Sequence, residues 1–167
     1  ALYYTRGIFP WGNECYLRSD MYHQYAPFFS ELWHKIRNGE SLTYSWNIGM
    51  GTNFTSLFAY YLASPSNWFV ALFPQKYTIE IMNAFIILKI AGSSLSLTYY
   101  LTKHNNNKHV IAAIFGMFYG MSGFIAAYSW NIMWLDCVIL IPLIMLGLER
   151  LVNENRCIFY CITLGLC

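Results

Sequence analysis

The residues best suited to chemistry lie close together in the stretch CYLRSDMYHQYAPFF. Asp20 stands between Arg18 and His23, and Gln24 and Tyr25 follow at once. A carboxylate can act as a general base, and an arginine can hold a phosphate through two hydrogen bonds. The structural alternative is that Asp20 is a helix cap or a turn residue, which is the usual role of a single Asp in a loop.

The composition indicates a membrane protein. Of 167 residues, 57% are hydrophobic, 19% are aromatic and only 11% are charged. A soluble domain usually carries about 25% charged residues. Tyr and Trp, of which there are 14 and 6, settle at the water–lipid interface. A net charge of +2 without a basic run argues against a nucleic-acid partner. The lipid bilayer is therefore the predicted surrounding, and the predicted fold class is an all-α polytopic membrane protein.

Apolar runs divide the chain into two predicted domains. Residues 1–78 are irregular and amphipathic, with four of the five prolines. The remainder, 79–167, contains runs that predict membrane helices, the last one truncated: 79–101, 110–129, 135–151 and 157–167. The chain begins without Met and ends inside the last run. We therefore expect a longer protein, with a first membrane helix before Ala1 and further ones after Cys167.

The basic residues predict which turns face the cytoplasm. Lys103 and Lys108 lie in one polar turn, and Arg150 and Arg156 lie in another, two crossings away. The positive-inside rule makes both turns cytoplasmic. Residues 1–78 and the turn at 130–136 then face outside, so that Asp20 and Asp136 share the external face.

The charge-free segment 57–73 could change this topology. If it crossed the membrane, Asp20 would move to the cytoplasmic side. Pro65 and its polar neighbours interrupt the middle of the segment, where unsatisfied backbone would be costly in lipid. We therefore expect a hairpin that lies on the membrane surface.

A short amphipathic helix is predicted after Asp20, starting near Pro27 and ending at Gly39. Its apolar face holds Phe28, Leu32, Trp33 and Ile36, and its polar face holds Glu31, Lys35 and Asn38. A helix of this kind would lie along the membrane surface.

Other polar residues give weaker signals. The five cysteines lack a partner set for a metal, and the cofactor is left open, a divalent cation included. Lys89 is a charge inside a predicted span, where it is a functional candidate, a side chain that snorkels to the interface, or the partner of an acid in a helix outside this sequence. Asp136, at the outer end of a span, is either an interfacial cap or a second acid beside Asp20.

The order of several motifs resembles one family. The stretch SDMYHQYAPFFSELWHKIRNGESLTYSWNIGMGTNFTSLFAYYLASPSNW, the LK at 88–89 and YSWNIMWLD with PLIMLGLERL closely resemble the N-terminal part of bacterial YfhO-like membrane proteins. The resemblance implies a GT-C-like helical bundle with a long first external loop that carries surface-lying helices. It also places Asp20 at the catalytic position, with Gln24 and Tyr25 at the polar and aromatic positions after it.

The resemblance implies a membrane glycosyltransferase. It would move a sugar from a polyprenyl-phosphate donor to an envelope polymer such as teichoic acid, on the external face of the cell membrane. The predicted catalytic residues are Asp20 and Asp136. The predicted substrate-binding residues are Arg18, His23, Gln24, Tyr25, Arg37, Asn53 and Tyr60. The alternative is a non-enzymatic transporter or flippase of lipid-linked envelope intermediates, with Lys89 and Asp136 lining the path.

Overall fold

The computed structural model describes residues 2–8, 11–15, 17, 20–105 and 109–167. The predicted residues Arg18 and Lys108 lie outside these ranges. The chain is mostly helical and divides into two compact units, Ala1–Phe85 and Ile86–Cys167. Each unit is described by itself below.

The first unit opens with helix α1, Leu2–Thr5, and then builds a longer helix in two parts. A single π-helical turn, Met21–Tyr25, leads directly into helix α2, Ala26–Asn38. Pro27 lies in the first turn of α2, directly after the π turn, and offers no backbone N–H to that turn. Gly39 ends α2 in the left-handed conformation with φ 65°, which glycine adopts without strain. The end at Gly39 therefore follows from local sequence, as predicted, whereas helical backbone already begins before Pro27, in the π turn.

The polar face predicted for α2 is wrong, because Glu31 and Lys35 are buried at 7% and 3% exposure. The partner segment is a two-stranded antiparallel hairpin, β1 Tyr44–Ser45 and β2 Thr52–Asn53. The Ser45 hydroxyl donates to Glu31 Oε1 over 2.6 Å, and Lys35 Nζ donates to the Tyr44 carbonyl over 2.8 Å. These bonds satisfy both charges and fix the hairpin on α2.

The segment 54–77 consists of short helical pieces. Helix α3, Phe54–Leu57, passes into a second π turn, Phe58–Leu62, which is followed by the 3₁₀ helices Pro65–Leu72 and Gln75–Tyr77. Within 20–105, which is described without a gap, the helix through 57–73 is interrupted before Pro65. The interruption follows the prediction from Pro65.

Side-chain bonds attach this segment to α2. Trp33 Nε1 donates to the Phe73 carbonyl over 2.6 Å. Gln75 Nε2 donates to Ser30 Oγ over 2.7 Å. The centre of the unit is apolar, and its fully buried side chains include Met21, Tyr25, Phe29, Leu32, Phe54, Leu62 and Val70.

Three long apolar segments account for most of the remaining chain. Helix α4 runs over Thr78–His104, α5 over His109–Gly120, α6 over Gly123–Tyr128, α7 over Ile132–Glu154 and α8 over Ile158–Gly165. By length and composition, the described helices that can cross a membrane are Gln75–His104, His109–Tyr128 and Ile132–Glu154. Helix α7 begins at Ile132, so Asp136 lies within this helix. The prediction that 130–136 form a turn is therefore wrong from Ile132 onward.

Glycines allow close helix packing in the second unit. A Cβ at Gly116 would overlap Thr98, and a Cβ at Gly120 would overlap Ser94, both on α4. The two glycines are four residues apart on α5, the spacing at which small residues let membrane helices approach. Similarly, a Cβ at Gly147 of α7 would lie 2.8 Å from the Tyr160 Cα of α8.

Candidate functional site

Two π-helical turns in the first unit carry several residues of the candidate site. Met21–Tyr25 holds Gln24 and Tyr25, and Phe58–Leu62 holds Tyr60 and Tyr61. A π turn is rare, and where it occurs it is frequently found at a functional site. Its presence twice among these residues singles out this part of the unit.

Asp20 occupies the N-terminal position of the first π turn, but it is not a cap. A capping Asp normally has extended backbone and accepts a hydrogen bond from the first turn. Asp20 instead has helical backbone, with φ −65° and ψ −17°, and its side chain makes no capping bond in the described chain. The residue is partly exposed. Asp20 therefore does not act as a helix cap in the described chain, whereas its role as a turn residue or as a catalytic base stays a prediction.

Gln24 and Tyr25 of the first π turn contact Tyr61 of the second. Tyr61 Oη donates to Gln24 Oε1 over 2.7 Å. The Tyr61 ring meets Tyr25 edge-on at 5.4 Å between centroids and Tyr60 edge-on at 4.7 Å. The hydrogen bond and the edge-on contact of Tyr61 with Tyr25 hold the two π turns against each other, so that Gln24 and Tyr25 have fixed positions.

The electrostatics connect Asp20 to these tyrosines. Burial raises the pKa of Tyr25, and the neighbouring Tyr61 and Tyr60 phenols and the Asp20 carboxylate raise it further. Burial, Tyr60 and Asp20 raise the pKa of Tyr61 in the same way. Both phenols therefore remain protonated at neutral pH and can donate hydrogen bonds. The Asp20 charge acts on both phenols, so the carboxylate lies near Tyr25, Tyr60 and Tyr61, which we call the tyrosine cluster.

The other predicted binding residues of this unit are not all part of the cluster. His23 is exposed and packs edge-on against Tyr22 at 5.2 Å. Arg37 lies over the Trp33 ring in the last turn of α2, roughly 16 Å along the axis from its first residue. Asn53 caps α3 by accepting from the Ser56 N–H over 3.3 Å.

Tyr60 is 63% exposed and lies beside Tyr61. Sequence reasoning included Tyr60 but missed Tyr61, which contacts both Gln24 and Tyr25. The adjacent aromatic pair in AYYLASP was the available signal. Helical spacing alone could not decide which of the two rings faces Gln24.

A buried ion pair occupies the second unit. Lys89 Nζ of α4 lies 2.8 Å from Asp136 Oδ2 of α7 and donates to the Ile132 carbonyl over 3.2 Å. The two side chains are 5% and 24% exposed. Lys89 thus pairs with an acid, but with Asp136 of this chain and not with an acid in a further helix as the sequence analysis considered. The two predicted catalytic acids fall in different units, Asp20 in the first and Asp136 in the second.

The three apolar helices of spanning length define an α-helical membrane protein. In the described residues no group of three or more His, Cys, Asp or Glu side chains is arranged to hold a metal.

The family model described as the bacterial membrane protein YfhO matches residues 1–167, and the chain therefore belongs to the YfhO family. This confirms the family identified from the motifs. No curated protein matches the chain. No solved structure matches it either.

Proposed function

We propose that this chain carries the catalytic carboxylate of a membrane glycosyltransferase. The enzyme transfers a sugar from a polyprenyl-phosphate donor to an envelope polymer such as teichoic acid. The observation that carries the proposal is Asp20, which is partly exposed and makes no capping hydrogen bond at the start of a π turn. Membership of the YfhO family agrees with it.

Asp20 acts as the general base in this reaction. The acceptor hydroxyl oxygen attacks the anomeric carbon of the donor sugar, and its proton passes to the Asp20 carboxylate. The bond from the anomeric carbon to the phosphate oxygen breaks, and the polyprenyl phosphate leaves with the electron pair. Because the nucleophile enters opposite the leaving group, the anomeric configuration inverts. A positioned base of this kind typically contributes about 10²–10⁴-fold in rate.

The tyrosine cluster supplies donors and a contact surface for the sugar. The raised pKa values of Tyr25 and Tyr61 keep their phenols protonated, so the phenols can donate to sugar or phosphate oxygens. The exposed Tyr60 ring offers an apolar face to the sugar. Arg18, which lies outside the described residues, remains the predicted phosphate ligand. The position of Arg37 on α2 makes it the weaker candidate.

The membrane topology proposed for the enzyme puts 1–78 outside the cell. The support is the charge pattern, because Lys103 lies in the last turn of α4, and Arg150 and Arg156 lie near the end of α7 and just after it, two crossings away. A lipid-carried donor suits an external site, since nucleotide sugars are not available there.

Replacement of Asp20 by Asn tests the proposal. Asp20→Asn keeps the shape of the side chain and removes its basicity, and we expect at least a hundredfold loss of sugar transfer from a polyprenyl-phosphate donor. Glu40→Gln is the matched control, because Glu40 is an exposed carboxylate in the same unit. Both variants should elute from gel filtration in detergent like the parent. Near-normal transfer by a folded Asp20→Asn protein would show that Asp20 is not the base.

The transporter alternative has one specific observation in its favour. The Lys89–Asp136 pair is buried between two candidate spans, and ionisable residues inside membranes often line transport paths. In that case Asp20→Asn would leave movement of lipid-linked intermediates across vesicles unchanged, whereas loss of Lys89 would abolish it.

A further inference from the structure

A small polar cavity lies in the first unit, between residues 12–15 and the first two turns of α4. Its volume is about 130 Å³. Its polar lining consists of Asn13, Glu14, Glu80 and Asn83. Neither Asp20 nor any residue of the tyrosine cluster lines it. The cavity is therefore separate from the candidate catalytic site.

The side chains around the cavity contain hydrogen-bonding atoms without protein partners. Asn83 is 2% exposed, and neither its Oδ1 nor its Nδ2 has a hydrogen-bond partner. Glu80 Oε2 is also buried and unpartnered. Buried polar atoms are nearly always satisfied in folded proteins. Two such side chains, one turn apart on the same face of α4, therefore indicate that something other than protein completes this cavity.

The charges and atom types indicate what that ligand is. Glu14 and Glu80 bring two carboxylates to the cavity, and no Lys, Arg or His is found among its described lining residues. Carboxylate and amide oxygens are the ligands that Mg²⁺ and Ca²⁺ prefer. A neutral polyol would satisfy the hydrogen bonds but would leave the negative charges of the two lining carboxylates uncompensated. The volume equals about four water molecules, which leaves room for a cation that keeps part of its hydration.

We propose that this cavity binds a divalent cation of the Mg²⁺ or Ca²⁺ type through Glu14, Glu80 and the Asn83 amide oxygen. Water molecules complete the coordination, and Asn83 Nδ2 donates to one of them. The proposal does not depend on sugar transfer, since it rests on unpartnered atoms outside the candidate catalytic site.

The cation would join the N-terminal segment to α4. The Glu14 N–H donates to the Gly7 carbonyl over 2.9 Å, and a β-bridge pairs Ile8 with Glu14. A Cβ at Gly12 would overlap the Gly7 backbone, so the loop is tightly closed and presents Glu14 in a defined place. Binding would therefore couple the position of this loop to the first turns of α4.

Manganese binding tests the proposal without any measurement of activity. The purified protein in maltoside detergent is freed of metal with a chelator and titrated with Mn²⁺, and free Mn²⁺ is followed by electron paramagnetic resonance. We expect a site that Mg²⁺ or Ca²⁺ displaces. Glu80→Gln and Glu14→Gln should each weaken it at least about tenfold, the lower limit typical even for groups that only support metal ligands. Glu154→Gln, a carboxylate outside this unit, should leave it unchanged.

A second pair of variants guards against misfolding. Asn83→Leu removes the amide oxygen and should weaken Mn²⁺ binding, whereas Asn83→Asp keeps an oxygen at the same position and should retain it. Hydrogen exchange at residues 11–15 should slow when Mn²⁺ is added to the parent and to Asn83→Asp. The proposal is overturned if the parent binds no displaceable Mn²⁺, or if the folded Glu80→Gln and Glu14→Gln variants bind it as the parent does.

Discussion

The Lys89–Asp136 pair permits a quantitative test of what Asp136 does. Asp136→Asn keeps the side-chain shape but removes the negative charge beside Lys89, which is 5% exposed. Lys89 Nζ also donates to the uncharged Ile132 carbonyl over 3.2 Å. The variant therefore changes the charge of the site and little else.

The expected cost follows from the burial of the two groups. Breaking a buried ion pair from one side typically costs about 3–5 kcal/mol. Asp136 retains 24% exposure, and an Asn can still accept a hydrogen bond, so the low end applies. Insertion scales give a similar figure, about 2.5–3.5 kcal/mol, for a Lys at the centre of a membrane helix. We therefore expect Asp136→Asn to lower the free energy of unfolding by about 3 kcal/mol, which is about a hundredfold in the equilibrium constant.

Unfolding by titration with a denaturing detergent measures this loss. The matched variant is Lys89→Met with Asp136→Leu, which replaces both charges by apolar groups of similar volume. Such replacements are often neutral or stabilising, so the double variant should regain the stability of the parent. If Asp136→Asn is as stable as the parent, or if the double variant is the least stable of the three, the ion pair does not contribute as the structure indicates.

The same double variant tests the predicted role of Asp136 in transfer. If Asp136 only neutralises Lys89, then transfer should return together with stability. If Asp136 orients the acceptor, as the sequence predicts, a stable double variant should still be defective. Measuring both properties on one protein separates the two roles.

Three further predictions follow from the packing and the charges. Gly120→Leu should disrupt the contact of α5 with Ser94 and lower the unfolding free energy by about 1–3 kcal/mol or more, whereas Gly123→Leu, which enters open space, should cost little in the same detergent titration. Burial raises the pKa of Glu31, but its hydrogen bonds and nearby positive charge outweigh this effect and lower the pKa below the ordinary value of 4.5. The charged form therefore stabilises the fold above pH 4.5, and the melting temperature should fall as the pH drops through the lower folded pKa, less so in Glu31→Gln. Finally, with the five native cysteines replaced by Ser, a cysteine at position 40 should react with an impermeant reagent in intact cells and one at position 153 should not; the reverse pattern would contradict the topology.

Local signals in the sequence predicted the parts of the fold that depend on neighbouring residues. Gly39 ends α2, and the helix through 57–73 is interrupted directly before Pro65. Each of these residues restricts or frees its own backbone angles. Three helices of spanning length could likewise be read from apolar runs.

Contacts between distant residues could not be predicted in this way. Glu31 and Lys35 looked like a solvated face because their partners, which include Ser45 and the Tyr44 carbonyl, lie ten or so residues away in a hairpin without a strong strand pattern. The contact of Tyr61 with Gln24 depends on how two π turns meet, and a π turn has no simple composition. The motif order placed Asp20 in a site, but only the backbone shows that it is not a cap.

The π turn at Met21–Tyr25 also determines the direction in which Asp20 points. Successive residues of an α-helix are rotated by about 100° around the axis. A π turn contains one residue more than an α turn. This residue rotates the residues before the turn around the helix axis relative to α2, whose buried face does not change. Tyr22 is 63% exposed, but Met21 before it is fully buried. Deleting one residue of the turn would therefore rotate both Met21 and the Asp20 carboxylate by about 100° relative to α2. The length of a single turn thus sets where the acid faces.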